Sequence, residues 1–245
     1  RTLARETQRP FFGIQASGIN PGEQIDGTIK AMAARDIGLI KQQQPHGPYT
    51  LWGYSFGARV AFEAAWQLEQ AGETVDALVL IAPGSPKVRQ QQAALHSREA
   101  HYDNPAYLTI LFSVFMGSIT HPLLEDCLNE AQDREMFIDF IARHHQALVR
   151  EQIARITDIV SQTFEFTYSF HELNQRRIQA PVTVIKAEGD DYSFIEGSEG
   201  FSVQLPRVVT LKADHYQLLK ESHIDELLKA LEDDAVAQEE TEATP

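Results

Sequence analysis

Two kinds of hydrophobic pattern divide this chain. Toward both ends, short apolar runs of strand length alternate with stretches of helical spacing; the middle shows helical spacing alone. Phe11-Phe12-Gly13-Ile14 predicts a short strand. Residues 26–43 predict a helix with Ile29, Ala33, Ile37 and Ile40 on one face, broken by Pro45-His46-Gly47-Pro48. Tyr49-Thr50-Leu51-Trp52 predicts a strand, and residues 58–71 a helix closed by Gly72. In that helix Val60, Ala64 and Leu68 share a face, as do the small Ala61 and Ala65, which allow close approach to a sheet. Residues 75–82 contain an unbroken apolar run, the pattern of a strand buried on both faces of a parallel sheet, and Pro83-Gly84-Ser85-Pro86 ends it. Residues 181–187 and 207–213 predict two more strands. A final helix carries Ile224, Leu227, Leu228 and Leu231 on one face. Strands alternating with helices predict an α/β fold with a mostly parallel sheet and crossover helices.

The middle, residues 87–177, predicts a helical insertion between two strands. Asn104-Pro105 is a helix start, cap then proline, and Gly117 a stop. Between them the sequence is apolar nearly all round. Ordinary core is one reading. A lid helix is the other, with Leu108, Leu111, Phe112, Phe115 and Met116 lining an apolar substrate channel. Met136, Phe137, Phe140 and Ile141 mark a second helix; Ile153, Ile156, Val160, Phe164 and Tyr168 mark a third. The expected organisation is a core segment over 1–86, the lid insertion over 87–177, a second core segment over 178–233 and a disordered acidic tail over 234–245.

Composition narrows the function classes. The chain of 245 residues is 43% hydrophobic, enough for a sizeable core, and its net charge is −14. The last fourteen residues hold six acids and no base, the composition of a solvated end. The remainder is still acidic, which argues against nucleic acid as a partner. The single cysteine, Cys127, has no intramolecular partner for a disulfide and no cation beside it in sequence; it reads as a buried structural thiol in a reducing cytoplasm. No apolar run approaches the length of a membrane span.

The chemistry gathers around Gly53-Tyr54-Ser55-Phe56-Gly57. Strand, sharp turn and helix around Gly-x-Ser-x-Gly form the setting in which a serine becomes an exposed nucleophile. A Cβ two residues to either side of Ser55 is expected to crowd the crossing strand and helix. The helix dipole points its positive end at a developing oxyanion, and the Phe56 N–H is placed to donate to it. A serine hydroxyl needs a base. In this architecture the chain order is serine, acid, histidine, with the histidine after the last strand, and His215 fits. His223 is already helical. His144 and His145 read as a solvated helix face, and His171-Glu172 lacks the second histidine of a zinc motif, position 175 being Gln. The acid has two usual places. The loop after residues 75–82 offers Ala82-Pro83-Gly84-Ser85, with no carboxylate. The loop after 181–187 offers Glu188-Gly189-Asp190-Asp191, where Asp190 is the first choice and Asp191 the second.

With these residues in view, the chain resembles the thioesterase domains of modular polyketide and nonribosomal peptide synthetases, relatives of the thioesterase that ends animal fatty-acid synthase. The resemblance runs over about residues 1–233. It rests on Gln44-Pro-His-Gly-Pro-Tyr-Thr-Leu-Trp-Gly-Tyr-Ser55-Phe-Gly, on Glu63-Ala-Ala-Trp-Gln-Leu-Glu-Gln-Ala-Gly72, on Ala180-Pro-Val-Thr-Val-Ile-Lys-Ala187 and on Ala213-Asp-His215-Tyr-Gln-Leu-Leu-Lys. It implies an α/β-hydrolase fold with a helical lid. It implies release of an acyl or peptidyl chain, by hydrolysis or cyclisation, from the phosphopantetheine arm of a carrier protein in cis upstream, with no metal and no bound cofactor. Alternatives on the same residues are a stand-alone editing thioesterase, a carboxylesterase, or an impaired domain that binds acyl chains or a carrier protein without releasing them. Two departures stand out. Many such domains carry the acid where this chain has Ala82-Pro83. Family members also begin with a strand and a Gly-rich loop that supplies a second oxyanion N–H, whereas Arg1-Thr-Leu-Ala-Arg resembles the helix just after that loop.

Overall fold

The computed structural model describes residues 10–86, 99–165, 175–191 and 200–242. In chain order the elements are helix α1 (Ile29–Gln43), strand β1 (Tyr49–Tyr54), helix α2 (Phe56–Gln70) and strands β2 (Val75–Ile81) and β3 (Ser85–Pro86). Helices α3 (Pro105–Met116), α4 (Leu124–Glu130), α5 (Arg134–His144) and α6 (Arg150–Thr163) follow. The chain closes with β4 (Val182–Ala187), β5 (Asp190–Asp191), β6 (Arg207–Leu211) and α7 (Glu221–Glu242). These elements fall into two compact units, one drawn from residues 1–14, 44–86 and 169–245, the other from 15–43 and 87–168.

The first unit is built on a four-stranded sheet in the order β1-β2-β4-β6 with every pairing parallel. The unbroken apolar run of β2 has the reason the sequence suggests: Leu78, Val79, Leu80 and Ile81 are all buried in a strand with neighbours on both sides. Helix α2 carries the chain from β1 to β2 and buries Ala58, Val60, Phe62, Ala64, Ala65 and Leu68. On α7, Ile224 and Leu227 join Val79, Ile81, Ile185 and Leu218 in one core cluster; burial of each such side chain contributes about 1.5–3 kcal/mol. Two expectations change here. Residues 11–14 form no strand; Phe12 and Ile14 are exposed, and Phe11 instead sets its ring edge-on against Trp52 at 5.3 Å. An apolar run makes a strand only where a neighbouring strand pairs with it, and none of the described residues does. The acidic stretch after Asp233 continues α7 to Glu242: its alanines, glutamates and glutamines are good helix formers, which outweighs the charge.

The second unit is helical. Helix α3 begins and ends where the sequence indicates. The Asn104 side chain accepts from the Ala106 N–H at 3.1 Å ahead of Pro105, and Gly117 closes the helix in the left-handed region at φ 64°. Leu108, Leu111, Phe112 and Phe115 are buried in the unit's own core with Phe137, Phe140, Ile141 and Ile153; Met116 packs against that core half-buried, and Val114 is exposed. Cys127 sits in the same core, where burial, with Glu130 nearby, pushes its thiol up to about 12, so it stays protonated and inert. Helix α6 ends at Thr163; Tyr168, expected to continue it, lies outside the described residues. Arg134 grips Asp158 through two parallel bonds of 2.6 and 2.8 Å, tying α5 to α6. Helix α1 starts at Ile29, later than residue 26, because Thr28 caps it by accepting from the Ala31 N–H at 3.0 Å. The units divide at 86/87, and they differ from the expected organisation in that residues 15–43 group with this unit and the later boundary falls at 168/169, not 177/178.

Candidate active site

Three strand exits of the first unit supply the three side chains that the sequence singles out. The first exit is β1. Ser55 follows it with φ 53° and ψ −121°, a conformation rare for a residue with a side chain and costing on the order of 1–3 kcal/mol. The Ser55 N–H donates to the Ile81 carbonyl at 2.9 Å, and the Ser55 carbonyl accepts from the Ala58 N–H at 3.0 Å, so neighbouring strand and helix together hold the strained turn. Gly53 is required: a Cβ there would stand 2.4 Å from the Gly57 carbonyl oxygen and 2.6 Å from the Ala58 Cα. Gly57 is not under the same constraint, contrary to the symmetric expectation. A Cβ on it meets nothing within 4 Å among the described residues, because it lies on the first turn of α2 pointing into open space. Phe56 opens α2, so its N–H belongs to the first turn, whose donors have no partner within the helix.

The second exit is β4. The Glu188 N–H reaches the carbonyls of Leu211 at 3.1 Å and Ala213 at 3.0 Å, and Gly189 turns the chain at φ 85°. Asp190 and Asp191 then pair antiparallel with Pro86 and Ser85. The loop after β2, which has no carboxylate of its own, therefore braces the strand that carries one. Asp190 is buried at 4% exposure.

The third exit is β6. Asp214 shapes the loop by accepting the N–H groups of Tyr216 and Gln217 through Oδ1, both at 2.9 Å. This turn presents His215, also 4% exposed. His215 Nε2 lies 2.8 Å from Ser55 Oγ, and His215 Nδ1 lies 2.5 Å from Asp190 Oδ2. A carboxylate on Nδ1 fixes the tautomer in which Nδ1–H donates to Asp190 and Nε2 is free to accept the serine proton. A short contact to an ionised oxygen is the strong kind of hydrogen bond. The structure thus brings Ser55, His215 and Asp190 into one continuous chain, while Asp191, the other candidate acid, stands in strand register opposite Ser85.

Three contributors were not visible in the sequence. Tyr54 donates its hydroxyl to the backbone carbonyl of His215 at 2.6 Å; Asp214 sets the histidine loop; Ser85-Pro86 braces Asp190. Only Asp214 left a signal, as an Asx-type residue two and three positions before the N–H groups it holds. A buried ion pair steadies the frame as well. Arg176 Nε donates to Glu63 Oε2 at 2.6 Å, Gln67 donates to the other oxygen at 3.0 Å, and the guanidinium lies 5.1 Å over the Trp66 ring. His144 is exposed beside Phe140, and among the described residues no group of three potential metal ligands converges. His171-Glu172 lies outside the described residues. Among the described residues no helix is long and apolar enough to cross a membrane.

Comparison with known proteins follows the same lines. The chain is 62% identical over 234 residues to an indigoidine synthase of Dickeya dadantii, covering 95% of this chain and 16% of that protein. It is 54% identical over 231 residues to an indigoidine synthase of Streptomyces lavendulae, covering 94% and 18%. The chain thus spans roughly a sixth of the length of these curated relatives. The solved structure of the Vlm2 thioesterase domain superposes with a TM-score of 0.61 at 15% identity, over 88% of this chain and 80% of that one. That likeness gives the fold, an α/β hydrolase. The model of the family described as Thioesterase domain matches residues 1–235, and the chain belongs to that family.

Proposed function

We propose that this chain releases an acyl or peptidyl group from the phosphopantetheine thioester of a carrier protein through an ester on Ser55. The single observation that carries the reading is the unbroken chain from Ser55 Oγ to His215 Nε2 and from His215 Nδ1 to Asp190. Family membership supplies the thioester.

In the first half-reaction His215 Nε2 takes the Ser55 proton as Oγ forms a bond to the thioester carbon. The Phe56 N–H donates to the resulting oxyanion. The C–S bond then breaks, and the departing thiol takes the proton from Nε2. In the second, His215 Nε2 deprotonates water or a nucleophile on the bound chain, which bonds to the ester carbon; the C–Oγ bond then breaks, Ser55 Oγ takes the proton back from Nε2, and a free acid or a ring is released. Asp190 holds the Nδ1–H and stabilises the imidazolium. The route draws on protein groups and on the substrate's own phosphopantetheine arm. Relatives about six times longer than this chain support a carrier domain in the same polypeptide. The single buried thiol suits a reducing cytoplasm.

The test is labelling with a fluorophosphonate followed by peptide mapping. The expected adduct is on Ser55, and Ser55→Ala should abolish both the adduct and the turnover of pantetheine thioesters. Turnover that survives Ser55→Ala sinks the proposal.

A further inference from the structure

We infer that Tyr54 is a positioning residue for the base: its hydroxyl ties the nucleophile elbow directly to the loop that carries His215. The inference rests on the functional reading above and concerns how that site is held.

Ser55 leaves β1 and His215 leaves the loop after β6, yet the strand order β1-β2-β4-β6 puts these two strands at opposite edges. Three inter-strand spacings of about 4.8 Å separate them. Among the described residues the ladders therefore relate nucleophile to base through β2 and β4. The Tyr54 hydroxyl is a direct link. It donates to the His215 carbonyl at 2.6 Å, from the residue immediately before the nucleophile. The same two side chains also face each other, with ring centroids 5.6 Å apart. His215 is thus held at two points: Asp190 holds the ring through Nδ1, and Tyr54 holds the backbone to which the ring is attached. The first sets the tautomer and rotation of the imidazole. The second sets how far Nε2 stands from Ser55 Oγ, now 2.8 Å.

The hydroxyl is suited to act only as a donor. Burial, then Tyr216, Asp190 and Asp214, push its pKa well above the ordinary tyrosine range, so it keeps its proton throughout the working range of a serine hydrolase. A phenylalanine would fill the same space and leave the His215 carbonyl without this donor. Misplacement of a base by a fraction of an ångström acts on turnover more than on binding.

The experiment compares wild type, Tyr54→Phe and a protein carrying p-aminophenylalanine at position 54, which restores a donor at the para position. Steady-state kinetics on a pantetheine thioester, the rate of fluorophosphonate attachment to Ser55 and the melting temperature are read for each. For Tyr54→Phe the expected result is a fall in kcat of about tenfold with KM within about twofold. Ser55 labelling should slow by a similar factor, and p-aminophenylalanine should recover most of both losses. Unchanged kcat and labelling in Tyr54→Phe overturn the inference, even with a lowered melting temperature, since a merely structural role predicts that pattern. Losses that p-aminophenylalanine does not recover overturn it as well. Should Tyr54→Phe fail to fold, the p-aminophenylalanine protein decides: labelling near the wild-type rate supports the tie, and labelling that stays slow contradicts it. Wild-type protein with no adduct on Ser55 would instead bring down the functional reading itself.

Discussion

Strands β2 and β4 lie side by side and run in the same direction, yet only the exit from β4 delivers a carboxylate to His215. At the end of β2 stands Ala82, fully buried, in the left-handed region at φ 43°, its N–H donating to the Ile185 carbonyl at 2.7 Å. At the end of β4 a glycine turn leads at once to Asp190. The chemistry demands a carboxylate at one point in space, beside Nδ1, and not at one point in the chain. Neighbouring parallel strands end close together, so either exit can reach that point. The exit without the acid is not idle: it pairs with the other as β3 against β5 and holds Asp190 in register.

Asp190→Asn should have the greatest effect. An amide on Nδ1 favours the wrong tautomer, and kcat for a pantetheine thioester should fall by about 10⁴ with the melting temperature little changed. Asp191→Asn, measured beside it, should leave kcat within about threefold if the acid is Asp190 alone. A next test moves the acid back. Ala82→Asp in the Asp190→Asn background should recover about tenfold in kcat, because aspartate tolerates the left-handed backbone at that position and starts from the neighbouring exit. Steady-state kinetics of the double variant against Asp190→Asn alone is the check.

Other carboxylates sharpen the contrast by serving different ends. Glu63 is buried against Arg176 and holds the frame, not the base. Glu63→Gln should cost about 3 kcal/mol in urea denaturation, since it removes one charge of a buried ion pair, while kcat of the folded protein stays near wild type. Asp36 is the smallest case. Burial raises its carboxyl to about 6, with Asp26 adding to the rise and Arg35 opposing it. A raised folded-state value means the folded protein binds this proton more readily than the unfolded chain. The group therefore costs stability above pH ~6, and the cost disappears as pH falls through ~4. Asp36→Asn should then stabilise by about 1 kcal/mol at pH 7, a figure reduced for the group's partial exposure, and by nothing measurable near pH 3.5. Urea melts across that range will show it.

How much of this was legible in the chain depends on whether a constraint is local. Ser55 was readable because the elbow needs strand, turn and helix in immediate succession. His215 was readable from order along the chain, and Asp190 because only one of two strand exits held an acid. Helix α3 announced its own ends through Asn104-Pro105 and Gly117. Tyr54 was hidden because its partner is a backbone carbonyl far along the chain, and a carbonyl leaves no trace in residue type. The brace from Ser85-Pro86 was hidden for the same reason. Periodicity misled at Phe11-Phe12-Gly13-Ile14, where apolar residues occur without a strand among the described residues to pair with, and the motif misled at Gly57, which lacks the steric need that Gly53 has. The apolar girth of α3 permitted two readings; the structure places four of its five flagged side chains in the helical unit's own core.

The claim that Asp190 orients His215 is tested most directly by the imidazole proton itself. A hydrogen bond of 2.5 Å to a buried carboxylate should give a far-downfield proton resonance from His215 Nδ1–H. This signal should be present in the wild type, persist in Asp191→Asn, and vanish in Asp190→Asn and in His215→Gln. A signal that survives Asp190→Asn, or that is lost in Asp191→Asn, would contradict it.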